Sequence, residues 1–127
     1  MSSTITVKDL KLSFGAVDVL KNLNMHVESG EFIVLLGSSG CGKSTLLNCI
    51  AGLLEPTDGQ LFFDDDNVTW KEPAERGIGM VFQSYALYPQ MTVRKNITFG
   101  LRNLKLSAQE TEARVARVAA LLHIENL

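Results

Sequence analysis

Gly37-Ser38-Ser39-Gly40-Cys41-Gly42-Lys43-Ser44 is the stretch of sequence that decides the fold. It fits the pattern G-x-x-x-x-G-K-[ST] of a phosphate-binding loop. Glycines let the backbone come close to phosphate oxygens, and successive N–H groups then point into one concavity that binds an anion. A helix that begins at Lys43 would direct the positive end of its dipole to the same place. The pattern therefore predicts that residues 37–45 hold phosphates.

The residue types of the loop predict ATP and Mg²⁺ as its ligands. Lys43 supplies a full positive charge for the β- and γ-phosphates and is a candidate catalytic group, while the Ser44 hydroxyl is a candidate Mg²⁺ ligand. The alternative is a glycine-rich turn without a ligand, but the four fixed positions arise by chance in fewer than about one in a hundred chains of this length. The predicted nucleotide contacts in the loop are Gly37, Ser38, Ser39, Gly40, Cys41, Gly42, Lys43, Ser44 and Thr45.

The segments beside the loop predict an α/β fold. Phe32–Leu36 is apolar without alternation, which is typical of a parallel strand covered on both faces, and Ile78–Phe82 has the same character. A helical pattern follows the loop and is expected to stop near Pro56, because proline disfavours helix at the residue before it. Its apolar face comprises Leu46, Leu47, Ile50, Leu53 and Leu54.

Segments on both sides of this core predict further strands. Alternation predicts half-buried strands over residues 5–14, with a bulge near Lys8-Asp9, and over 22–27, after a turn at 15–18. A short strand is expected over 60–63, followed by a polar turn at 64–67. His26 falls on a polar strand face, so we expect it to be exposed.

The last third of the chain predicts two helices. Thr92 is a candidate cap for a helix through Leu101, and Ser107 with Glu110 forms a capping box. The second helix would place Val115, Val118, Ala119 and Leu122 on one side, and its last turn should contain His123.

The composition limits the kinds of partner. The 127 residues include 12 basic and 14 acidic side chains, for a net charge of −2, and such a balance does not favour nucleic acid. No apolar run approaches the ~18 residues of a membrane-spanning helix, and the N-terminus does not resemble a secretory signal. Cys41 and Cys49 fit a reduced, cytoplasmic protein better than a disulfide scaffold.

Several features outside the loop occur together in one known family. Phe14 lies 23 residues before Gly37. The apolar segment 78–82 is preceded by Pro73-Ala74-Glu75-Arg76-Gly77 and followed directly by Gln83. Shortly after Gln83 comes the run Tyr85–Pro89. This arrangement resembles the ATP-binding-cassette (ABC) transporter ATPases. It looks most like the subgroup that powers bacterial sugar importers, as in maltose and glycerol-3-phosphate uptake. The resemblance covers essentially the whole chain.

The resemblance implies roles for residues that the loop pattern does not reach. Phe14 would stack on adenine, and Gln83 would sense Mg²⁺ and the attacking water, as both a metal ligand and a catalytic residue. Residues 86–89 and the helices after Thr92 would dock on the membrane permease. Judged by residue type alone, Phe14 could instead be a core residue, Gln83 a surface residue, and Leu87 and Tyr88 members of a small core.

The resemblance also implies an architecture and a set of partners. Residues 1–127 would be the N-terminal part of a nucleotide-binding domain, with the antiparallel layer and P-loop core in 1–91 and the start of a helical subdomain in 92–127. The partners would be transmembrane permease subunits, a second ATPase subunit in a homodimer and, indirectly, a solute-binding protein, with no nucleic acid. The complete subunit would couple ATP hydrolysis to solute import, on the cytoplasmic face of the cell membrane.

Other motifs of the family are missing from these 127 residues. The Leu-Ser-Gly-Gly-Gln signature, the Walker B aspartate, the catalytic glutamate and the switch histidine are not found, and Leu106-Ser107-Ala108-Gln109 lacks both glycines. Asp64 and Asp65 follow a short apolar strand and only imitate Walker B. We therefore expect the front part of a longer subunit. The alternatives are a nucleotide-binding fragment without catalysis and a different P-loop enzyme such as a nucleotide kinase.

Overall fold

The chain forms two units, which are described separately. The computed structural model describes residues 2–127. The first unit extends to Met80 and contains the sheet and the phosphate loop, and the second comprises Val81–Leu127. The predicted subdomain boundary at residue 91 stays a prediction.

A four-stranded antiparallel sheet forms the body of the first unit. Its strands are β1 (Ile5–Phe14), β2 (Val17–Val27), β3 (Asp58–Phe63) and β4 (Asp66–Asn67), in the order β2-β1-β3-β4. The predicted bulge is confirmed, because the register of β1 against β2 shifts between Val7 and Leu10 and Asp9 has a φ of 47°. β2 begins earlier than predicted, since the turn needs only Gly15 and Ala16.

Helix α1 (Lys43–Ala51) packs on this sheet and carries the end of the loop. Leu46 and Cys49 of α1 join the buried core formed by the strands, so the core fixes the helix and with it the loop. The helix ends at Gly52 rather than near Pro56, because Gly52 adopts a left-handed conformation with a φ of 81° and its N–H bonds back to the last turn. Leu53 and Leu54 therefore follow the helix and are not part of its face.

The prediction of parallel strands at 32–36 and 78–82 is wrong for this structure. Neither segment is a strand, and Phe32, Leu36 and Val81 are between 86% and 90% exposed. A strand needs a neighbour for its N–H and C=O groups, and the residues that the structure describes supply none beside either segment. Even so, the antiparallel sheet with its helices agrees with a partial α/β P-loop fold.

The second unit is helical, as predicted. Helix α2 (Val93–Thr98) is followed by a 3₁₀ turn (Phe99–Leu101), and Thr92 caps α2 by accepting a hydrogen bond from the Lys95 N–H. Helix α3 (Ala108–Leu122) begins with the predicted capping box of Ser107 and Glu110. Val115 is buried, whereas Leu122 is exposed. His123 lies outside the last turn, where it ends the helix in a left-handed conformation.

Candidate functional site

The side chain of Lys43 spans the phosphate loop. Its Nζ donates hydrogen bonds of 2.7 Å to the carbonyl oxygens of Gly37 and Ser38 and lies 3.4 Å from Cys41 Sγ. Lys43 is the first residue of α1, so these bonds join the start of the helix to the start of the loop. A single positive charge is thereby held against the loop backbone, where it can meet an anion.

Two glycines of the loop adopt backbone conformations that side chains rarely take: Gly40 has a φ of 79° and Gly42 a φ of 102°. A Cβ on Gly42 would also lie 3.2 Å from the Leu20 side chain of β2. A Cβ on Gly37 would meet Cys41 Sγ at 2.5 Å, so the Cys41 side chain would have to move. The glycines thus let the loop turn close to the sheet.

The N-terminus of α1 is suited to an anion. Among the described residues no side chain caps this helix, and its first turn contains no acidic residue. The first N–H groups of any helix lack partners within the helix, so those of α1 remain available to a ligand, with the positive end of the helix dipole behind them. The curled loop, the uncapped helix and Lys43 together fit a chain of phosphate groups.

The loop offers fewer groups to Mg²⁺ than to phosphates. The Ser44 side chain is exposed in the first turn of α1, where its hydroxyl can serve as one oxygen ligand. Over residues 2–127 no group of three or more histidine, cysteine, aspartate or glutamate side chains forms a metal site. Mg²⁺ commonly takes one or two protein oxygens beside phosphate oxygens and water, so a single hydroxyl here agrees with an ion that arrives with a nucleotide.

Asp64, which follows an apolar strand as a Walker B aspartate would, has a structural role in a turn. Asp64 accepts a 2.8 Å hydrogen bond from the Thr4 N–H, which lowers the pKa of its carboxyl group. Asp64 also has a φ of 52° in the tight turn between β3 and β4. The side chain therefore stabilises this turn against the start of β1.

Phe14 and Gln83 lie outside the loop, and both side chains are exposed. Phe14 is the last residue of β1, pairs with Val17 across the turn, and is 54% exposed, so the alternative of a core residue is wrong. Gln83 lies in a turn in the second unit. The roles of Phe14 at adenine and of Gln83 at Mg²⁺ stay predictions.

Comparison with known proteins identifies the family. Residues 20–127 match the family described as ABC transporter. The chain belongs to this family. The matched range includes residues 37–45.

Similar curated proteins are transport or import ATP-binding proteins. The chain is 49% identical over 120 residues to the alpha-glucoside transport ATP-binding protein AglK of Rhizobium meliloti, covering 94% of this chain and 33% of that protein. Identity is 48% over 124 residues to the sn-glycerol-3-phosphate import ATP-binding protein UgpC of Bartonella bacilliformis, with 97% and 36% covered. It is 45% over 125 residues to the maltose/maltodextrin import ATP-binding protein MalK of Aliivibrio fischeri, with 98% and 34% covered. The chain therefore spans about a third of the length of these ABC proteins.

Solved structures of ABC proteins share the fold. CbiO1 of Clostridium perfringens, part of the ABC transporter complex cbiONQ, superposes with a TM-score of 0.83 at 30% identity, covering 100% of this chain and 53% of that one. A nucleotide-free ATP-binding cassette from an ABC transporter gives a TM-score of 0.78 at 28% identity, with 98% and 56% covered. In residues 2–127 no helix is both long and apolar enough to cross a membrane.

Sequence reasoning assigned no role to Arg76 of this ABC chain. Its side chain is only 7% exposed and donates hydrogen bonds to four backbone carbonyl oxygens, two of them in α1. In the sequence Arg76 lies in a polar segment beside Glu75 and Gly77, which is typical of an exposed loop. The only signal in the sequence was its place in the run that carries the family resemblance.

Proposed function

We propose that this chain is the nucleotide-binding part of an ATP-binding subunit that drives solute import. The relatives named above support the proposal, since they are ATP-binding proteins for alpha-glucoside transport, for sn-glycerol-3-phosphate import and for maltose/maltodextrin import. Because the solutes in these names are sugars or a sugar-like phosphate, we propose a solute of that class. The selectivity itself would reside in the permease and a binding protein.

The observation that carries the proposal is the pair of hydrogen bonds from Lys43 Nζ to the carbonyl oxygens of Gly37 and Ser38. They hold the ammonium group at the loop before any ligand arrives, so little side-chain freedom is left to lose on binding. When phosphates enter, Lys43 binds their β- and γ-oxygens, and the N–H groups of the first turn of α1 donate to the same anion. This pre-organised positive charge is what a triphosphate site requires.

The remaining site residues have supporting roles in the proposal. Mg²⁺, when bound with ATP, neutralises charge that develops on the phosphate oxygens. Ser44 would hold the ion through its hydroxyl, and Gln83 would contact both the ion and the attacking water. Phe14 would present its exposed ring to adenine, since a flat aromatic face stacks on a base. Gly37 to Thr45 would surround the phosphates.

The proposed partners follow from the same relatives. The subunit would bind transmembrane permease subunits on the inner face of the membrane and pair with a second copy of itself, and a solute-binding protein would deliver the solute. One observation supports a docking role for residues 86–89: Tyr85 and Ala86 both have positive φ values, of 61° and 50°. Such strained residues cluster at functional sites. Leu87 is 71% exposed, which leaves its side chain available to a partner.

Replacement of Lys43 tests the loop directly. Lys43→Ala should weaken binding of ATP and of inorganic triphosphate by about ten-fold to a hundred-fold, the loss expected when a charged hydrogen-bond donor is removed. The affinities are measured by calorimetric titration with Mg²⁺ present. Lys21→Ala, which removes an exposed lysine of β2, is the matched control and should bind both ligands as the parent does. Unchanged affinity of Lys43→Ala would refute the proposed function.

A second candidate function is nucleotide binding without turnover. The sequence observation that favours it is the lack of the Leu-Ser-Gly-Gly-Gln signature and of a Walker B strand in the 127 residues. A comparison of ATP binding with ATP turnover in the 127-residue chain separates the two candidates.

A further inference from the structure

Arg76 contacts the end of α1 that lies opposite the phosphate loop. Its Nη1 donates hydrogen bonds to the carbonyl oxygens of Cys49 (2.8 Å) and Ile50 (3.0 Å), both in the last turn of the helix. The last carbonyls of a helix have no partners within it, and they carry the negative end of the helix dipole. The buried guanidinium therefore donates to the Ile50 carbonyl and adds a second donor to the Cys49 carbonyl, which also accepts from the Gly52 N–H at 3.1 Å. It also places a positive charge where the dipole favours it.

The same guanidinium ties α1 to the chain that follows the sheet. Arg76 Nε donates to the Lys71 carbonyl oxygen at 2.9 Å, and Nη2 donates to the Thr69 carbonyl oxygen at 3.2 Å. Arginine carries its donors in a rigid planar fork, so one side chain can hold several carbonyls in a fixed mutual arrangement. The end of α1 and residues 69–76 are thus fixed to each other by a single group.

Gly52 makes room for this group. A Cβ at that position would lie 2.7 Å from Arg76 Nε and 2.9 Å from Cζ, too close for the guanidinium to stay in place. Burial lowers the pKa of Arg76, yet an arginine remains protonated in proteins. The site is therefore a cradle shaped for a flat cation, with a glycine on one side and carbonyl oxygens around its edge.

We propose that Arg76 is a positioning residue for the phosphate loop. It fixes the orientation of α1, and with it the place of Lys43 and of the first-turn N–H groups at the other end. A helix of nine residues is about 13 Å long, so a tilt of about 5° about its last turn moves its first turn by about 1 Å. Displacements of this size are costly for groups that must meet a ligand in one geometry. The inference rests on the proposed function of the loop.

The test compares two replacements of Arg76 in the 127-residue chain. Arg76→Met keeps the length of the side chain but removes its charge and donors. Arg76→Lys keeps the charge and up to three donors, without the planar fork. Affinity for inorganic triphosphate and for ATP is measured with Mg²⁺, and the folded fraction of each variant is determined in parallel. We expect Arg76→Met to bind both ligands about ten-fold more weakly per folded molecule, and Arg76→Lys to recover part of the loss.

A matched control separates positioning from general stability. Asn24→Ala removes two exposed hydrogen bonds of 3.0 Å between Asn24 of β2 and Asp9 of β1, so it destabilises the same unit without touching the core that holds α1. Its folded fraction should bind triphosphate as the parent does. Equal affinity losses in Asn24→Ala and Arg76→Met would overturn the inference, and so would parental affinity in Arg76→Met.

The outcomes also distinguish this inference from the proposed function. A parent chain that does not bind triphosphate refutes the proposed function and the inference with it. A parent that binds, with Lys43→Ala impaired and Arg76→Met unimpaired, refutes the inference alone. Where Arg76→Met does not fold, Arg76→Lys decides. An ammonium group cannot reach all four carbonyls, so the folded form of Arg76→Lys should bind triphosphate more weakly than the parent. Parental affinity of Arg76→Lys would then overturn the inference.

Discussion

At the scale of single residues, the aromatic ring at the end of β1 is exposed and so loses much of the free energy that its burial would contribute. Phe14 leaves more than half of its surface in water, although burial of a phenylalanine side chain is worth about 1.5–3 kcal/mol. An exposed aromatic ring ahead of a phosphate loop is what base stacking requires.

Replacement of Phe14 should affect the base and not the phosphates. Phe14→Ala should weaken ATP binding by about 1–3 kcal/mol, the usual contribution of one stacked base. Inorganic triphosphate has no base, so the variant should bind it as the parent does. Phe32→Ala, which removes another exposed phenylalanine, serves as the control and should leave both affinities unchanged. Equal losses for ATP and triphosphate in Phe14→Ala would mean that Phe14 acts through the fold.

Lys43 and Arg76 differ in how clearly the sequence indicates their roles. Lys43 was predicted because the glycines around it mark a specific loop geometry, which the structure shows in the Lys43 bonds to Gly37 and Ser38. Arg76 could not be predicted from its type, because arginine is almost never buried unless it is paired. Its partners are backbone carbonyls, which every residue has, and only the tertiary fold brings four of them together.

At the scale of elements, α3 begins with the capping box that the sequence predicts. The Ser107 hydroxyl accepts a hydrogen bond from the Glu110 N–H, and the Glu110 carboxylate accepts one from the Ser107 N–H at 2.8 Å. This second bond lowers the pKa of Glu110. Because all partners lie within four residues, the sequence alone predicted both bonds. The cap also couples the start of α3 to pH.

The pH dependence follows from the direction of the Glu110 shift. A carboxyl group whose pKa is lower in the folded chain stabilises the fold fully above its ordinary value of about 4.3, and this stabilisation is lost as the pH falls through the folded value. Glu110→Gln keeps a side chain that can complete the capping box but cannot titrate. Thermal melting between about pH 3 and pH 6 should show that acid destabilises the parent more than the variant. Identical pH dependence of the two proteins would contradict this expectation.

The strands divide into those that sequence could predict and those that it could not. β1 and β2 largely alternate apolar and polar residues, and β1 pairs in antiparallel fashion with both β2 and β3, so the predicted strands and the structure agree. Residues 32–36 and 78–82 have the apolar pattern of buried parallel strands but lack neighbours among the described residues. The pattern of apolar residues in a segment indicates how well that segment suits burial. Whether a partner strand is present is a property of the assembled sheet.

At the scale of the whole molecule, large apolar side chains are exposed in the segment before the loop and in the segment that leads to Gln83. They are Phe32, Val34, Leu36, Ile78, Val81 and Phe82. Apolar side chains exposed in this number are typical of a binding interface or of a tendency to aggregate. The curated relatives are about three times as long as this chain, so much of their length has no counterpart here.

The chain should bind ATP but not turn it over. Phosphoryl transfer depends mostly on positioning and on stabilisation of charge around the phosphates. Lys43, Ser44 and the glycines of the loop supply the phosphate contacts. The 127 residues contain no signature sequence and no Walker B aspartate with a following glutamate, so groups that would secure the metal, polarise the water and close over the γ-phosphate are lacking. Phosphate release from the purified chain with Mg-ATP should therefore equal that of Lys43→Ala, which removes the loop charge.

Turnover clearly above the Lys43→Ala control would contradict this expectation, provided that both proteins are equally folded. It would mean that residues present in the chain assemble a working site, with Gln83 or the carboxylates of Asp64 and Asp65 as the first to test by replacement. Asp64 would then have to give up its 2.8 Å bond from the Thr4 N–H, because that bond holds its carboxylate in the turn between β3 and β4. An Asp64→Asn variant that lost turnover while keeping triphosphate affinity would identify that route. The absence of turnover in the parent, together with measurable ATP affinity, is the result that we expect.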